Sequence, residues 1–209
     1  MNCPLCCSDK VNKHINRNNV DYFLCNDCLL VFMDPEKQME EEDKKIRYNK
    51  HKNNVSDSGY RSFLMELARP SFGLIDNTKE CLDYGCGPTK AMETLFHENG
   101  FKMDSYDPLF FHTIKQRQYY LITCNEVVEH FSTPKKDMEE LLKWVKKGGF
   151  LLIGSYLWDS STDFANWHYL SDPSHVCFYN AETFKFISKS FGLELIQISS
   201  DRVLIFKKI

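Results

Sequence analysis

Glycine and proline are scarce in this chain of 209 residues, at 9 and 7 respectively. That scarcity excludes collagen-like and low-complexity material. Long apolar runs are missing too: Leu29–Met33 and Phe150–Ile153 are among the longest, far short of the ~20 residues a membrane-crossing helix needs. There is no excess of basic charge, since 26 Lys and Arg stand against 29 Asp and Glu for a formal net charge of −3. The field of the whole molecule therefore does not mark a nucleic-acid binder. The opening Met1-Asn2-Cys3-Pro4 carries neither a basic nor an apolar leader, so the expectation is a cytoplasmic, reducing setting and no membrane partner. Nine cysteines cannot all pair within one chain, and in a reducing compartment Cys-x-x-Cys reads as metal binding or redox chemistry before disulfide.

What remains is the composition of a folded protein, 43% hydrophobic and 26% charged. Its length suits one domain of ordinary size with a small appendage. Cys3-x2-Cys6 and Cys25-x2-Cys28 form two knuckles at the start of the chain. Each offers two thiolates with the bite of a tetrahedral Zn2+ site, and a strand over Val20–Leu24 would bring the second beside the first. The competing reading, a pair of redox dithiols, belongs at a strand–helix junction of a main sheet. Cys7 is a bystander, because only Cys6 gives the required spacing. So small a module cannot bury a core unaided, and the metal would hold it together.

The chain divides into a ribbon over 1–35, a charged linker helix over 36–57 and a main domain over 58–209. In the linker, Glu40–Lys44 and Glu41–Lys45 are favourable i,i+4 pairs, and the segment reads as a solvated face without a partner. Tyr60, Phe63, Leu64, Leu67, Phe72 and Ile75 follow at helical spacing, with Pro70 set to kink or end that helix. From residue 80 strands and helices alternate. Strands are expected at 81–84, 101–106, 119–124, 150–154, 193–198 and 203–206. Helices are expected at 91–98, 135–147 (stopped by Gly148-Gly149) and 181–190. This is an α/β pattern: a doubly wound, mostly parallel sheet with an antiparallel C-terminal hairpin.

Leu82-Asp83-Tyr84-Gly85-Cys86-Gly87 runs from a strand through two glycines into a helix. Glycines there let the backbone approach a ligand, and the helix start offers free N–H groups. The next strand ends in Tyr106-Asp107, where an acid would meet a ribose diol. Asn125-Glu126-Val127-Val128-Glu129-His130-Phe131 follows the third, and Leu142–Ile153 contains Lys-Lys-Gly-Gly. In this order the motifs resemble the class I S-adenosylmethionine (SAM) dependent methyltransferases, over roughly residues 58–207, and the ribbon resembles the one preceding many such domains. The resemblance implies a Rossmann-like sheet and SAM as cofactor. Gly85 and Gly87 would pass beneath SAM, with Asp83 near its amino group and Asp107 on its ribose. Asn125 and Glu126 would line the transfer pocket.

Two departures accompany the resemblance. Pro88-Thr89 replaces the family's third glycine. Only 12 residues (108–119) separate Asp107 from Tyr120, about half of what a helix, a strand and their loops need. The third strand is therefore abridged and the usual adenine acid has no counterpart; Phe110, Phe111 or Tyr119 would stack there instead.

Glu126, Glu129, His130 and the later His175 resemble the metal-dependent 2′-O-methyltransferases of small-RNA 3′ ends, which implies Mg2+ on these four side chains. In the competing reading no metal binds, and His130 or His175 serves as general base beside Glu126. The aromatics Trp158, Trp167, Tyr169 and Phe178 are either acceptor walls or core. Three functions stay open: methyl transfer to a small-molecule, sugar or nucleotide acceptor, at a hydroxyl; a degenerate methyltransferase fold acting as a scaffold through its ribbon; and metal-assisted RNA 2′-O-methylation, disfavoured by the acidic balance. Neither the acceptor nor the oligomeric state is fixed by these motifs.

Overall fold

A computed structural model describes residues 1–50, 54–113 and 118–209. Two sheets carry the fold. The smaller begins with β1 (Val11–Arg17) and β2 (Val20–Cys25). Asn18 and Asn19, both left-handed at φ 53° and 62°, join them, and Asn is among the few side chains that tolerate such a turn. β3 (Val31–Met33) pairs antiparallel with β2. The fourth strand, β8 (Cys177–Phe178), comes from the far end of the chain and aligns Val31 with Phe178 and Phe32 with Cys177. The ribbon is thus one sheet with part of the main domain.

The linker forms helix α1 (Glu41–Tyr48), followed by α2 (Ser58–Ser71). The Asp57 side chain caps α2 by accepting the Tyr60 N–H at 2.7 Å. Pro70 occupies the penultimate position of α2. Ring closure there removes a donor that the helix interior would need.

The larger sheet has the order β5-β4-β6-β7-β10-β9. Its strands are β4 (Glu80–Tyr84), β5 (Lys102–Tyr106), β6 (Tyr119–Asn125), β7 (Val145–Gly154), β9 (Leu193–Ser199) and β10 (Val203–Lys208). The first four are parallel, and β10 is antiparallel to both its neighbours. The antiparallel strand therefore lies one place inside the sheet, with β9 at the rim. Helices α3 (Ala91–Glu98), α4 (Pro134–Trp144) and α5 (Ala181–Ser190) cover the faces. Asn180 starts α5 with a reciprocal capping box to Thr183, which satisfies two donors the helix cannot pair itself. Between β5 and β6 the described residues form a turn closed by an Asp107–Phe111 bridge. The third strand is absent among them, and residues 114–117 lie outside the description.

Strand side chains alternate between two apolar clusters. One contains Leu82, Ile122 and Ile153 together with α4, α5 and the ribbon's Leu5, Leu30 and Phe32. The other contains Cys81, Leu121 and Leu152 with α2 and α3. Gly148-Gly149 does not stop α4, which ends at Trp144 and passes directly into β7. A Cβ on Gly149 would lie 2.7 Å from the Tyr120 carbonyl oxygen, so that glycine serves close strand packing. No helix of the described residues is long and apolar enough to cross a membrane.

Candidate active site

The carboxyl ends of β4, β5 and β6 open into one cavity of about 920 Å3. A crevice at strand carboxyl ends is where open α/β sheets bind ligands. Asp83, Gly85, Gly87, Asp107, Asn125 and Glu126 all line it.

On one side the chain leaves β4 in a tight turn. Gly85 has φ 78°, and a Cβ there would sit 2.4 Å from Val127 Cγ2. The Gly85 and Cys86 N–H groups donate to the Tyr106 carbonyl at 2.8 and 3.1 Å. Asp107 closes the turn: its Oδ2 accepts the Gly87 N–H at 2.9 Å and its Oδ1 the Leu109 N–H at 2.8 Å. Each oxygen keeps a lone pair, since a carboxylate accepts about four hydrogen bonds. Asp107 is buried, so these bonds are poorly screened by water.

Asp83 is buried and accepts from the Thr123 hydroxyl at 2.9 Å. Burial pushes its carboxyl up to about 7, and the neighbouring Asp107 and Glu93 add to the rise. A carboxyl whose folded pKa lies above its unfolded one favours the fold fully below the unfolded value, and that contribution is lost as pH rises through the folded value. Stability should therefore decline between about pH 4 and 7. Asp83→Asn should flatten this decline, which thermal melts across that range will read.

The opposite side is built around the turn after β6. Glu126 is left-handed at φ 53°, a conformation that costs a non-glycine residue about 1–2 kcal/mol. It swings the Glu126 carboxylate to the cavity wall, where Oε1 lies 3.3 Å from Arg202 and Oε2 lies 3.3 Å from the Tyr169 hydroxyl. Arg202 also donates to Asn125 Oδ1 at 2.8 Å and to Glu66 at 2.8 Å, and stacks on Phe63. Burial raises the Glu126 carboxyl, against the pull of Arg202.

Glu129 is fully buried beneath. It accepts from Tyr169 at 2.6 Å and from Ser155 at 3.0 Å, and burial together with Glu126 pushes its ionisation well up. His130 and His175 face each other at 4.7 Å. Each places Nδ1 on a carbonyl, that of Ser174 at 2.9 Å for His130 and that of Tyr169 at 2.7 Å for His175. A carbonyl only accepts, so Nδ1 carries the hydrogen in both rings, and in the neutral His130 the lone pair is on Nε2. Burial and the adjacent His175 hold His130 down at about 3.

Two sets of side chains have metal-ligand proximity. The sulfurs of Cys3, Cys6, Cys25 and Cys28 all lie within 4.8 Å of one another, with pairs at 3.4 and 3.5 Å. A tetrahedral zinc thiolate site has sulfur–sulfur edges of about 3.8 Å, so the cluster fits that ion. Cys7 is exposed, outside the cluster. The second set is Glu129, His130 and His175. Glu126 does not join it, turned instead to Arg202 and Tyr169. One buried carboxylate, already taken by two hydroxyls, and two imidazoles do not suit Mg2+, which prefers oxygen ligands and retained water. The Mg2+ expectation on Glu126, Glu129, His130 and His175 is dropped.

Other expectations are corrected as well. The linker helix is no free face. Arg47 makes a bidentate pair with Asp172 at 2.8 and 2.9 Å, Lys44 donates to Ser132 at 3.0 Å, and Tyr48 packs on His130. Burial works against the Asp172 carboxylate, but Arg47 and Ser174 hold it well below its usual range. Glu41, Lys44 and Tyr48 line the cavity. Tyr119 is buried in the core with its hydroxyl on Asp104. Phe110 and Phe111 are not on the cavity wall either; Tyr84 and Tyr106 are. Of the four loop aromatics only Tyr169 reaches the cavity, while Trp158, Trp167 and Phe178 pack in the apolar cluster shared with the ribbon. Arg202, Arg47 and Ser155 carried no sequence signal.

Residues 30–198 match a family model described as "Methyltransferase domain". The structure resembles the N-methyltransferase NodS from Bradyrhizobium japonicum WM9 in complex with S-adenosyl-L-homocysteine, with TM-score 0.55 and 15% identity over 79% of this chain and 97% of that one. It also resembles a SAM-dependent methyltransferase from Archaeoglobus fulgidus (TM-score 0.51, 18% identity, 73% and 100% covered). A third likeness is the mitomycin 7-O-methyltransferase MmcR (TM-score 0.52, 11% identity, 70% and 54% covered). No curated protein matches the chain.

Proposed function

Because this chain belongs to the methyltransferase-domain family, we propose that it is a SAM-dependent methyltransferase acting on a hydroxyl of a small-molecule, sugar or nucleotide acceptor, with Zn2+ in its ribbon. The observation that carries this reading is the single cavity that joins the Asp107–Gly87 clasp and Asp83 to the Glu126, His130 and His175 side.

When bound, SAM supplies an electrophilic methyl group. Asp107 accepts the ribose hydroxyls with the lone pairs left over from Gly87 and Leu109. Asp83 receives the ammonium group of the methionine end, and Asn125 and Glu126 line the space beyond. Glu126 orients the acceptor hydroxyl, its own carboxylate fixed by Arg202 and Tyr169. His130, held down near 3, accepts a hydrogen bond without retaining a proton. The acceptor proton goes to Nε2 of His175, whose Nδ1–H is anchored on the Tyr169 carbonyl. Such anchoring fixes the tautomer that a base needs. Cys3, Cys6, Cys25 and Cys28 hold the zinc.

Titration calorimetry of the zinc-loaded protein tests this directly. SAM and S-adenosylhomocysteine should bind with a Kd in the micromolar range, and absence of heat with either leaves the scaffold reading in its place. Pairing Asp83 with a cation should also expel its proton. At about pH 6 the wild type should release up to ~1 proton per ligand, seen as a dependence of the binding heat on buffer ionisation enthalpy, and Asp83→Asn should release none.

A further inference from the structure

Tyr169 and His175 stand in the cavity on a segment with little regular structure of its own, a short 3-10 turn over His168–Ser171 and the two-residue β8. So short a strand has no independent stability. Much of what holds the segment comes from the first 35 residues. Arg17, at the end of β1, donates to the Trp167 carbonyl at 2.9 Å and to the Ser171 hydroxyl at 3.2 Å. Met33 N–H donates to the Val176 carbonyl at 2.8 Å, and β3 pairs with β8 through Val31 and Phe32. His14 on β1 meets Phe164 edge-on at 4.7 Å. Leu5, Leu30 and Phe32 share one buried cluster with Tyr169, Val176 and Phe178. From the inner side the segment is also held by the turn after β6, by α1 and by the stretch after β7, through Val176 N–H on the Glu129 carbonyl, Arg47 on Asp172 and Trp158 Nε1–H on the Phe178 carbonyl.

The opposite half of the cavity shares Leu82, Tyr84 and Tyr106 with the ribbon's cluster on one face, but has support of its own on the other. Asp83 and Asp107 end β4 and β5, backed by the cluster of Met92, Leu95, Phe96 and Met103. Among the described residues that cluster contains none of the first 35.

We propose that the four-cysteine ribbon is the brace of the acceptor wall. Cys25 ends β2 and Cys28 lies just before β3, so an ion shared with Cys3 and Cys6 pins the offset between these strands. That offset sets where β3 meets β8, and hence where Tyr169 and His175 stand. The cofactor half holds its shape without the ion. This inference rests on the zinc reading above, and its test separates the two.

The experiment uses the full chain and needs no acceptor. Zinc content is measured first, then hydrogen exchange is followed by mass spectrometry in the loaded and chelator-stripped protein, with S-adenosylhomocysteine affinity measured on both. Removing zinc should speed exchange across 167–178 by about tenfold or more while leaving 83–107 within about twofold and the affinity within about threefold. Arg17→Ala, which touches no cysteine, should speed exchange over the same segment at full zinc content. Unchanged exchange at 167–178 in protein shown to be stripped overturns the brace. An equal rise in both regions, or loss of the ligand site on stripping, overturns the independence of the cofactor half. If the protein holds no metal and takes up none, the zinc reading fails; the brace then stands or falls on Arg17→Ala alone, with unchanged exchange sinking it.

Discussion

Replacing Asp107 with alanine should weaken cofactor binding by about 100-fold or more. The carboxylate does two jobs. It accepts the Gly87 and Leu109 N–H groups and so fixes the backbone of the turn, and by the proposed function it also accepts the ribose hydroxyls. Hydrogen bonds to a charged group are worth about 1.5–3 kcal/mol each, and about 1.4 kcal/mol is a tenfold change in affinity. Losing the ribose contact and loosening the turn together reach the stated factor. Asp107→Asn should fall between, since the amide offers one acceptor and sets its NH2 against a donor. Calorimetry with S-adenosylhomocysteine reads both variants, with melting curves to show that each is folded. An alanine variant binding within about threefold of wild type contradicts the ribose assignment.

Removing the Arg202 guanidinium should cost the fold more than any other single change to this wall. Arg202 is 1% exposed and lies between Glu66 and Glu126, its Nε without a hydrogen-bond partner among the described residues. Taking one partner out of a buried ion pair costs about 3–5 kcal/mol, because the remaining charge stays uncompensated. Here the lower end applies, since the Glu66 side chain is 41% exposed and water screens it. For Arg202→Met the expected loss is about 3 kcal/mol, or roughly 6–12 °C in Tm for a domain of this size. The sign of the pH effect follows from Glu126, whose carboxyl is raised by burial and lowered by Arg202. Without the arginine its folded pKa rises further, so the variant loses most at high pH and approaches wild type as pH falls and Glu126 takes up a proton. A Tm deficit that does not shrink on acidification contradicts this account.

Much of this protein was legible from residue order. Alternation of periods placed β4, α3, β5, β6 and α5 to within a residue or two, because these elements are short, well bounded and locally consistent. The clustering of the four knuckle cysteines and the Gly-x-Gly turn were readable because both are local: paired Cys-x2-Cys units and a left-handed glycine admit few arrangements. The shortened interval after Asp107 announced an abridged third strand, and among the described residues only a turn stands there. What was not legible is long-range. Arg202 falls between the two strands of the C-terminal hairpin, and nothing local says that this connection folds against the end of β6. The polar stretch that became α1 shows no buried residue, so its pattern matches a free helix, although Arg47 reaches Asp172, 125 residues on. The pairing of β3 with β8 spans an even longer interval. Gly148-Gly149 misled for a different reason, since the same residues that end helices also let strands approach closely.

The early end of the sheet at β5 has a cost in solution behaviour. An outermost strand offers a row of donors and acceptors to any extended chain that drifts past, and proteins blunt such rims with brevity and charge. β5 has five residues, with Lys102 and Asp104 among them. Its rim adjoins Asp107, to which the proposed function gives the ribose, so neutralising those two charges would invite strand addition beside the candidate site, and polymer growth would then compete with ligand occupancy.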